Sequence, residues 1–484
     1  MDTQTVAPHD PLPPETHDKA SEAIAKKPTK VNLLKFAFPT ILSMIIMSTF
    51  GTVDGIFVSR WIDQSALSAV GLVWPFMSFV ASIGFMLGVG GNALIAKKIG
   101  EGKEKEGRQN FSLIVLVAFG ASLVVSTVGF AAPDFILWIL GVNEFMRPMA
   151  VEYMRPLLFF LPAAVLGMAL QQFLITVGKA HYSAVMSLIA GATSAGLNFL
   201  FINRMGMGLQ GAAFATGIGM TIPAVVGIIV FSFARKGSLY FVRPRFNLDG
   251  LKAIGRSCVN GASEMISMLA ASITAVLMNN VLMDKDYTGM AVAASAIMWA
   301  GMGIFASLFM GYSSGVAPII SYNYGKGDKA HLRRAFRNSL RIIALLAILA
   351  VGLAYLSTNA LLWIYDVPAT FWIYEIGLYL DNPLHEMVRN GYLFIIGAFL
   401  LMGFNGFGTM FFTALNNGIV SSIMSLSNGF LFFLVALFTL SSWFGINGVW
   451  AAVPAAEGMQ VFVTFGFLFA LGRRYGYAGR VQAS

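Results

Sequence analysis

Four positions could do chemistry inside runs that are otherwise apolar: Asp54 in STFGTVDGIFVSRWI, Glu264 in GASEMISMLAAS, Asn405 in GFNGFGTMFFTAL and Glu457 in VPAAEGM. Ionisable groups are expensive within a bilayer, so those that occur face a bundle interior and mark ion or substrate paths. A desolvated carboxylate can exchange protons near neutral pH. Each position also has a plainer reading. Asp54 stands six residues before Arg60, about 9 Å of helix from the following turn, where a helix-end acid reaches water. Glu264 fits a packing residue satisfied by a neighbouring hydroxyl. Glu457 follows Pro454, a residue that kinks helices, and its role is cation binding or structure. Trp74 and Trp299 add aromatic faces, which attract organic cations by roughly 0.5–2 kcal/mol. They serve equally well as packing or interface anchors. The 26 methionines supply adaptable surface suited to promiscuous binding.

These residues need helices to position them, and the composition says of which kind. The chain is 57% hydrophobic and 11% charged, against about 25% charged in a soluble domain. The mean hydropathy is +0.73. The expected fold is an all-α polytopic membrane protein. Apolar segments fall near 33–58, 66–96, 111–131, 149–175, 182–202, 210–233, 255–283, 288–322, 339–356, 391–415, 418–441 and 446–471, twelve candidate transmembrane helices. Continuous apolar runs exclude a β-barrel. Residues 1–31 are polar, contain prolines and lack the apolar core of a signal peptide, so they read as a disordered cytoplasmic tail.

Alternate turns carry the cations: Lys97, Lys98, Lys103, Lys105 and Arg108, then Lys179, then Arg235 to Arg256, then Lys326 to Arg337. By the positive-inside rule these turns and both termini are cytoplasmic, in a cytoplasmic (inner) membrane. The net charge of +9 then reflects those turns, and no nucleic-acid partner is expected; membrane lipid is. Cys258 is the one cysteine, which excludes an intramolecular disulfide and a cysteine metal site, and it reads as a small packed residue. GVGGNALIAKKIGEGKEK has Glu104 where a Walker loop needs Ser or Thr, so ATP-driven pumping is not expected.

The chain repeats itself. KKIGEGK (97–103) matches YNYGKGD (322–328) at an offset of 225, which also brings Trp74 onto Trp299. ILWILGV (136–142) matches LLWIYDV (361–367); VMSL (185–188) then matches IMSL (423–426), and GLQGAA (208–213) matches GINGVW (445–450). The offset grows across 368–390, so an insertion there is expected to form an extra interfacial helix or loop. Six spans per repeat is an even number, so both repeats start on one side. They form two parallel six-helix lobes, 32–235 and 255–473, around a central cleft, joined by a 236–254 linker and followed by a 474–484 tail. Secondary transporters are built this way.

VDGIFVSRWIDQSALSAVGL, GVGGNALIAKKIGEGK, GLQGAAFAT and GVAPIISYNYGKGD, in this order, resemble the multidrug and toxic compound extrusion (MATE) transporters. GASEMI and AVPAAEGM resemble the bacterial multidrug-exporter subgroup. The resemblance covers nearly the whole chain after about residue 32 and implies a V-shaped cavity. It also implies export of small organic cations or amphipathic compounds, by a monomer without cofactor or enzymatic activity, driven by inward H⁺ or Na⁺. Asp54 falls where such transporters keep the first-helix acid that binds the coupling ion. Glu264 looks equivalent to a second-lobe acid of the sodium-coupled branch. That branch keeps an aspartate where this chain has Asn405, and Ser194 and Asn198 stand where many relatives have an asparagine and an aspartate. With so few acids, H⁺ is favoured over Na⁺ at Asp54. Two rival readings are a lipid-linked-oligosaccharide flippase of the same superfamily and a passive channel. The near absence of Lys and Arg within the spans disfavours the first.

Overall fold

The computed structural model describes residues 27–477, apart from 63, 141, 143, 234–238, 245, 286–289, 366–369 and 374–377. In lipid every backbone polar group must be satisfied within the segment, and the long apolar runs do so as helices. The first half of the chain contains α1 (Lys30–Trp61), α2 (Gln64–Gly100), α3 (Glu104–Ala131), a short α4 (Pro133–Ile139), α5 (Arg147–Thr176), α6 (Ala180–Asn198) and α7 (Gly208–Phe233). The second half contains α8 (Leu248–Lys285), α9 (Met290–Lys326), α10 (Lys329–Ile364), α11 (Pro383–Ala414), α12 (Gly418–Leu426) and α13 (Phe433–Tyr475). α6 continues into a π-helical segment, Phe199–Arg204, and α12 into another, Ser427–Phe432.

Eleven continuous stretches among the described residues are long and apolar enough to cross a membrane, and the last is 58 residues, Gly418–Tyr475. Gly445 breaks that stretch at φ 59°, ψ −134°, which yields the expected twelve spans. Within the 368–390 insertion the structure corrects the expected helix or loop. Thr370–Ile373 and Leu378–Asp381 pair as an antiparallel hairpin, Phe371 opposite Leu380. Thr370, Phe371, Trp372, Ile373 and Tyr379 are β-branched or aromatic residues, which favour strands over a helical turn.

The end of the bundle that carries the Lys- and Arg-rich turns, here called the basic end, is where the halves meet. A Cβ on Gly90 of α2 would lie 2.0 Å from the Ser257 carbonyl oxygen of α8, and one on Gly261 would lie 1.9 Å from that of Met86. The same contact recurs between α9 and α1, where Gly315 lies against Ala37 and Gly311 against Ile41. The α2 and α9 termini then cross reciprocally: Gly100 sits on the Tyr322 carbonyl and Gly325 on that of Lys97, each 2.2 Å from a Cβ position. Small residues let membrane helices approach this closely. The reciprocity is that of parallel repeats. Asn416 adds a hydrogen bond to the Ala93 carbonyl (3.2 Å), and Ser307 donates to Ser48 (3.4 Å). Among the described residues, the hydrogen bonds and glycine contacts joining the halves all lie between the basic end and Ser48–Ser307.

The repeat extends to backbone conformation. Gly208 and Gly445 open the matched GLQGAA and GINGVW segments at φ 58° and 59°, and Gly102 and Gly327 end α2 and α9 at φ 74° and 76°. The Gly445 conformation is nearly restricted to glycine, so Gly445→Ala is expected to lose about 1–3 kcal/mol of stability. A lowered heat-denaturation midpoint of the purified protein checks this, with Gly71→Ala, whose Cβ meets open space, as the neutral control.

The connection between the halves is fastened to the first. The Val242 N–H donates to Ser112 Oγ of α3 (2.9 Å), the Phe241 ring stacks on Phe111, and the Arg108 guanidinium lies 4.6 Å over the Tyr240 ring.

Candidate functional site

Asp54 lies in the half of α1 farther from the basic end, 8% exposed, with its carboxylate turned into the first half. Three helices converge on it. The Ser194 hydroxyl (3.1 Å) and the Asn198 amide (2.7 Å) of α6 donate to Oδ1, and the Thr216 hydroxyl of α7 donates to Oδ2 (2.8 Å). The buried Tyr153 of α5 lies beside Thr216 and Asp54. Asn198 is fully buried, and its Oδ1 has no partner among the described residues. Nearer the basic end, Ser43 bonds Ser187 (2.7 Å) and Ser183 (3.1 Å), which fixes α1 against α6. The π segment begins directly after Asn198, and such segments recur at functional sites because they re-aim side chains.

A second polar network lies in the second half. Asn405 of α11 donates from Nδ2 to Glu457 Oε2 (2.6 Å), and Asn428 donates to Oε1 (3.4 Å). Thr464 donates to Asn405 Oδ1 (2.8 Å), Gln460 donates to Thr464 (3.4 Å), and Ser427 donates to Gln460 Oε1 (2.7 Å). Ser427 and Asn428 belong to the second π segment. Asn405 is thus joined to Glu457, and Glu264 stands apart from both. Glu264 is half-buried on α8. It follows Gly261, which touches Met86, and precedes Met268, which packs into the cluster shared by the halves. Residues three and four apart share a helix face, so Glu264 is on the face turned toward the first half. Among the described residues its carboxylate receives no hydrogen bond.

Trp74 is 45% exposed, whereas Trp299, at the matching turn of α9, packs against the second-half core. The repeat therefore gives the two tryptophans unequal surroundings. Thr216 and Tyr153 are the members of the Asp54 network that sequence reasoning missed. Thr216 closes the GLQGAAFAT motif, and its position there was the available signal. No group of three or more His, Cys, Asp or Glu residues that could hold a metal ion occurs among the described residues.

Two tandem six-span repeats that touch at one end, each with a buried acid in a web of hydroxyls and amides, define a multi-pass membrane transporter. The MatE family model matches residues 39–200 and 262–438, and the chain belongs to that family. The multidrug export protein MepA of Staphylococcus aureus strain N315 is 22% identical over 443 residues, covering 90% of this chain and 92% of that protein. MepA of Staphylococcus haemolyticus is 22% identical over 450 residues, covering 91% and 94%. A solved MATE structure in complex with MaL6 superposes with a TM-score of 0.86 at 18% identity, covering 95% of this chain and 100% of that one. An outward-facing multidrug resistance MATE transporter superposes at 0.85 with 19% identity, covering 95% and 99%.

Proposed function

We propose that this protein is a secondary active multidrug exporter of the cytoplasmic membrane. It exchanges inward H⁺ for outward organic cations or amphipathic compounds by alternating access. The basic end and both termini face the cytoplasm, and the structure corresponds to the outward-facing state. Lobes 32–235 and 255–473 rock about the glycine contacts. The observation that carries the reading is Asp54, the buried carboxylate of the first half among the described residues, held by three donors. Membership of the MatE family and the MepA relatives support export of small molecules.

Protonation turns one acceptor oxygen of Asp54 into a donor, so one of its present donors must turn away. Asn198 can respond by a half-turn of its amide, which brings the unpaired Oδ1 toward the new O–H. That rearrangement couples proton uptake to the pose of α6 and its π segment. A Na⁺ ion could draw on the same oxygens. With one carboxylate in the cluster, a proton leaves the site neutral, whereas Na⁺ must also shed its hydration shell. In proteoliposomes, collapsing the pH gradient is expected to stop dye export. Collapsing a Na⁺ gradient at constant pH is expected to leave it running, and the reverse result would reassign the ion.

Glu264, unbonded and facing the first half, is the counter-charge for cationic substrates in this reading. Glu264→Gln is expected to raise KM for a monovalent cationic dye roughly five- to thirtyfold, the loss of a partly desolvated charge pair. KM for a neutral amphipathic substrate should stay within about twofold; equal effects on both would remove Glu264 from the substrate path.

A further inference from the structure

Beside the contact between the halves, a cavity of about 590 Å³ opens at the basic end, adjoined by a second of about 380 Å³. The larger is lined by Lys97 and Lys98 from α2, by Lys252 and Arg256 from α8, and by one acid, Glu101. Glu101 is already shared among Lys97 (3.9 Å), Lys98 (3.7 Å) and Lys103 (3.6 Å). Lys98 also pairs with Glu106 at 2.8 Å. Lys252 and Arg256 are exposed, and neither forms an ion pair among the described residues. The wall between the two sets of cations is cross-linked by hydrogen bonds. Asn260 donates to Asn416 Oδ1 (2.8 Å), accepts from the Gly418 N–H (3.0 Å), and Asn416 reaches Ala93.

The positive-inside tendency accounts for cations at this end of the bundle. It does not account for two from each half converging on one cavity, where like charges oppose the approach of the halves. A multidentate anion between them reverses the sign of that interaction. Tetrahedral phosphoryl oxygens suit the donor set, because Arg offers a planar fork and Lys a mobile point charge. We propose that this cavity binds a phosphoryl anion, from a phospholipid head group or free phosphate, which ties α2 to α8 and favours the state closed at the basic end.

The test uses the full-length purified protein and follows its heat-denaturation midpoint. One arm titrates inorganic phosphate against chloride at constant ionic strength. The other compares nanodiscs of phosphatidylglycerol with nanodiscs of phosphatidylcholine. The unmodified protein is expected to gain stability in at least one arm. K252Q/R256Q should weaken that response at least tenfold or abolish it, and K252R/R256K should retain it. R334Q/R337Q, which removes the same charge from exposed positions of α10 outside the cavity, should stay within twofold of the unmodified protein. A response to phosphate alone assigns the site to the soluble anion, and a response to phosphatidylglycerol alone assigns it to the head group. No response in either arm, or an equal loss in both glutamine pairs, overturns the proposal.

Discussion

Asp54→Asn is expected to abolish gradient-driven export while leaving a folded protein that still binds substrate. Asparagine keeps the volume of the side chain and one oxygen to accept from Ser194 or Asn198. Its amide cannot take up a proton, and its NH₂ meets the Thr216 hydroxyl, which must reverse to accept. The network therefore has a local adjustment open to it, and folding survives. What disappears is the titration. If the coupling runs through Asp54, the ratio of initial export rates with and without an inward pH gradient falls to unity. Coupling free energies between linked sites are typically worth roughly 5- to 150-fold in affinity, and that is the scale of the expected loss. Proteoliposome export with an imposed gradient, beside equilibrium dye binding to the same variant, separates the two outcomes. Undiminished gradient-dependent export would remove Asp54 from the coupling mechanism.

Gly261→Leu is expected to stop transport by a different route, since it touches neither polar network. The new Cβ would lie 1.9 Å from the Met86 carbonyl oxygen, and a backbone atom in the middle of α2 cannot swing aside. Overpacking a close-packed interior ordinarily costs about 1–3 kcal/mol; this contact leaves no rotamer that avoids it, so α8 and α2 must separate. The protein itself carries a reporter. Cys258, its one cysteine, is half-buried and packs against the first-half cluster from α8. Its maleimide labelling is expected to rise several-fold in Gly261→Leu and to remain unchanged in Gly71→Ala. Unaltered labelling together with normal export would show that the glycine contact has no part in closure.

Much of this architecture was legible because it rests on periodicity and repetition. Twelve apolar runs gave twelve spans, and Gly100 and Gly325, matched at an offset of 225, proved to make the reciprocal contact between α2 and α9. The glycine contacts also relate Ala37 to Ser257 and Ile41 to Gly261, an offset of 220 in the first helix of each repeat. That offset carries Asp54 onto Thr274 and Glu264 onto Met44, so the acids are departures from the repeat; they stood out as ionisable groups within apolar runs. Ser194 and Asn198 were placed by resemblance. Pairings across space were not legible. Nothing in the order of residues links Thr216 to a carboxylate 162 positions earlier, and a threonine in an apolar helix usually bonds its own backbone, as Thr221 does with Gly217 at 2.9 Å. Asn405 looked like the remnant of a lost acid, yet its amide is committed to Glu457, a group on another helix. The hairpin at 370–381 escaped because a single short insertion offers too few residues for a period to show.

The strap of Tyr240, Phe241 and Val242 against α3 has a geometric consequence. The connection is held to α3 as far as Val242, and α8 begins at Leu248. In the proposed rocking motion the halves act as a pair of levers that turn about the glycine contacts. α8 runs to Lys285, so about 36 Å of helix lies beyond the Gly261 contact, and a tilt of about 10° there sweeps the far end through about 6 Å. Small adjustments among the backbone atoms of these contacts are thus magnified at the opposite end of the bundle.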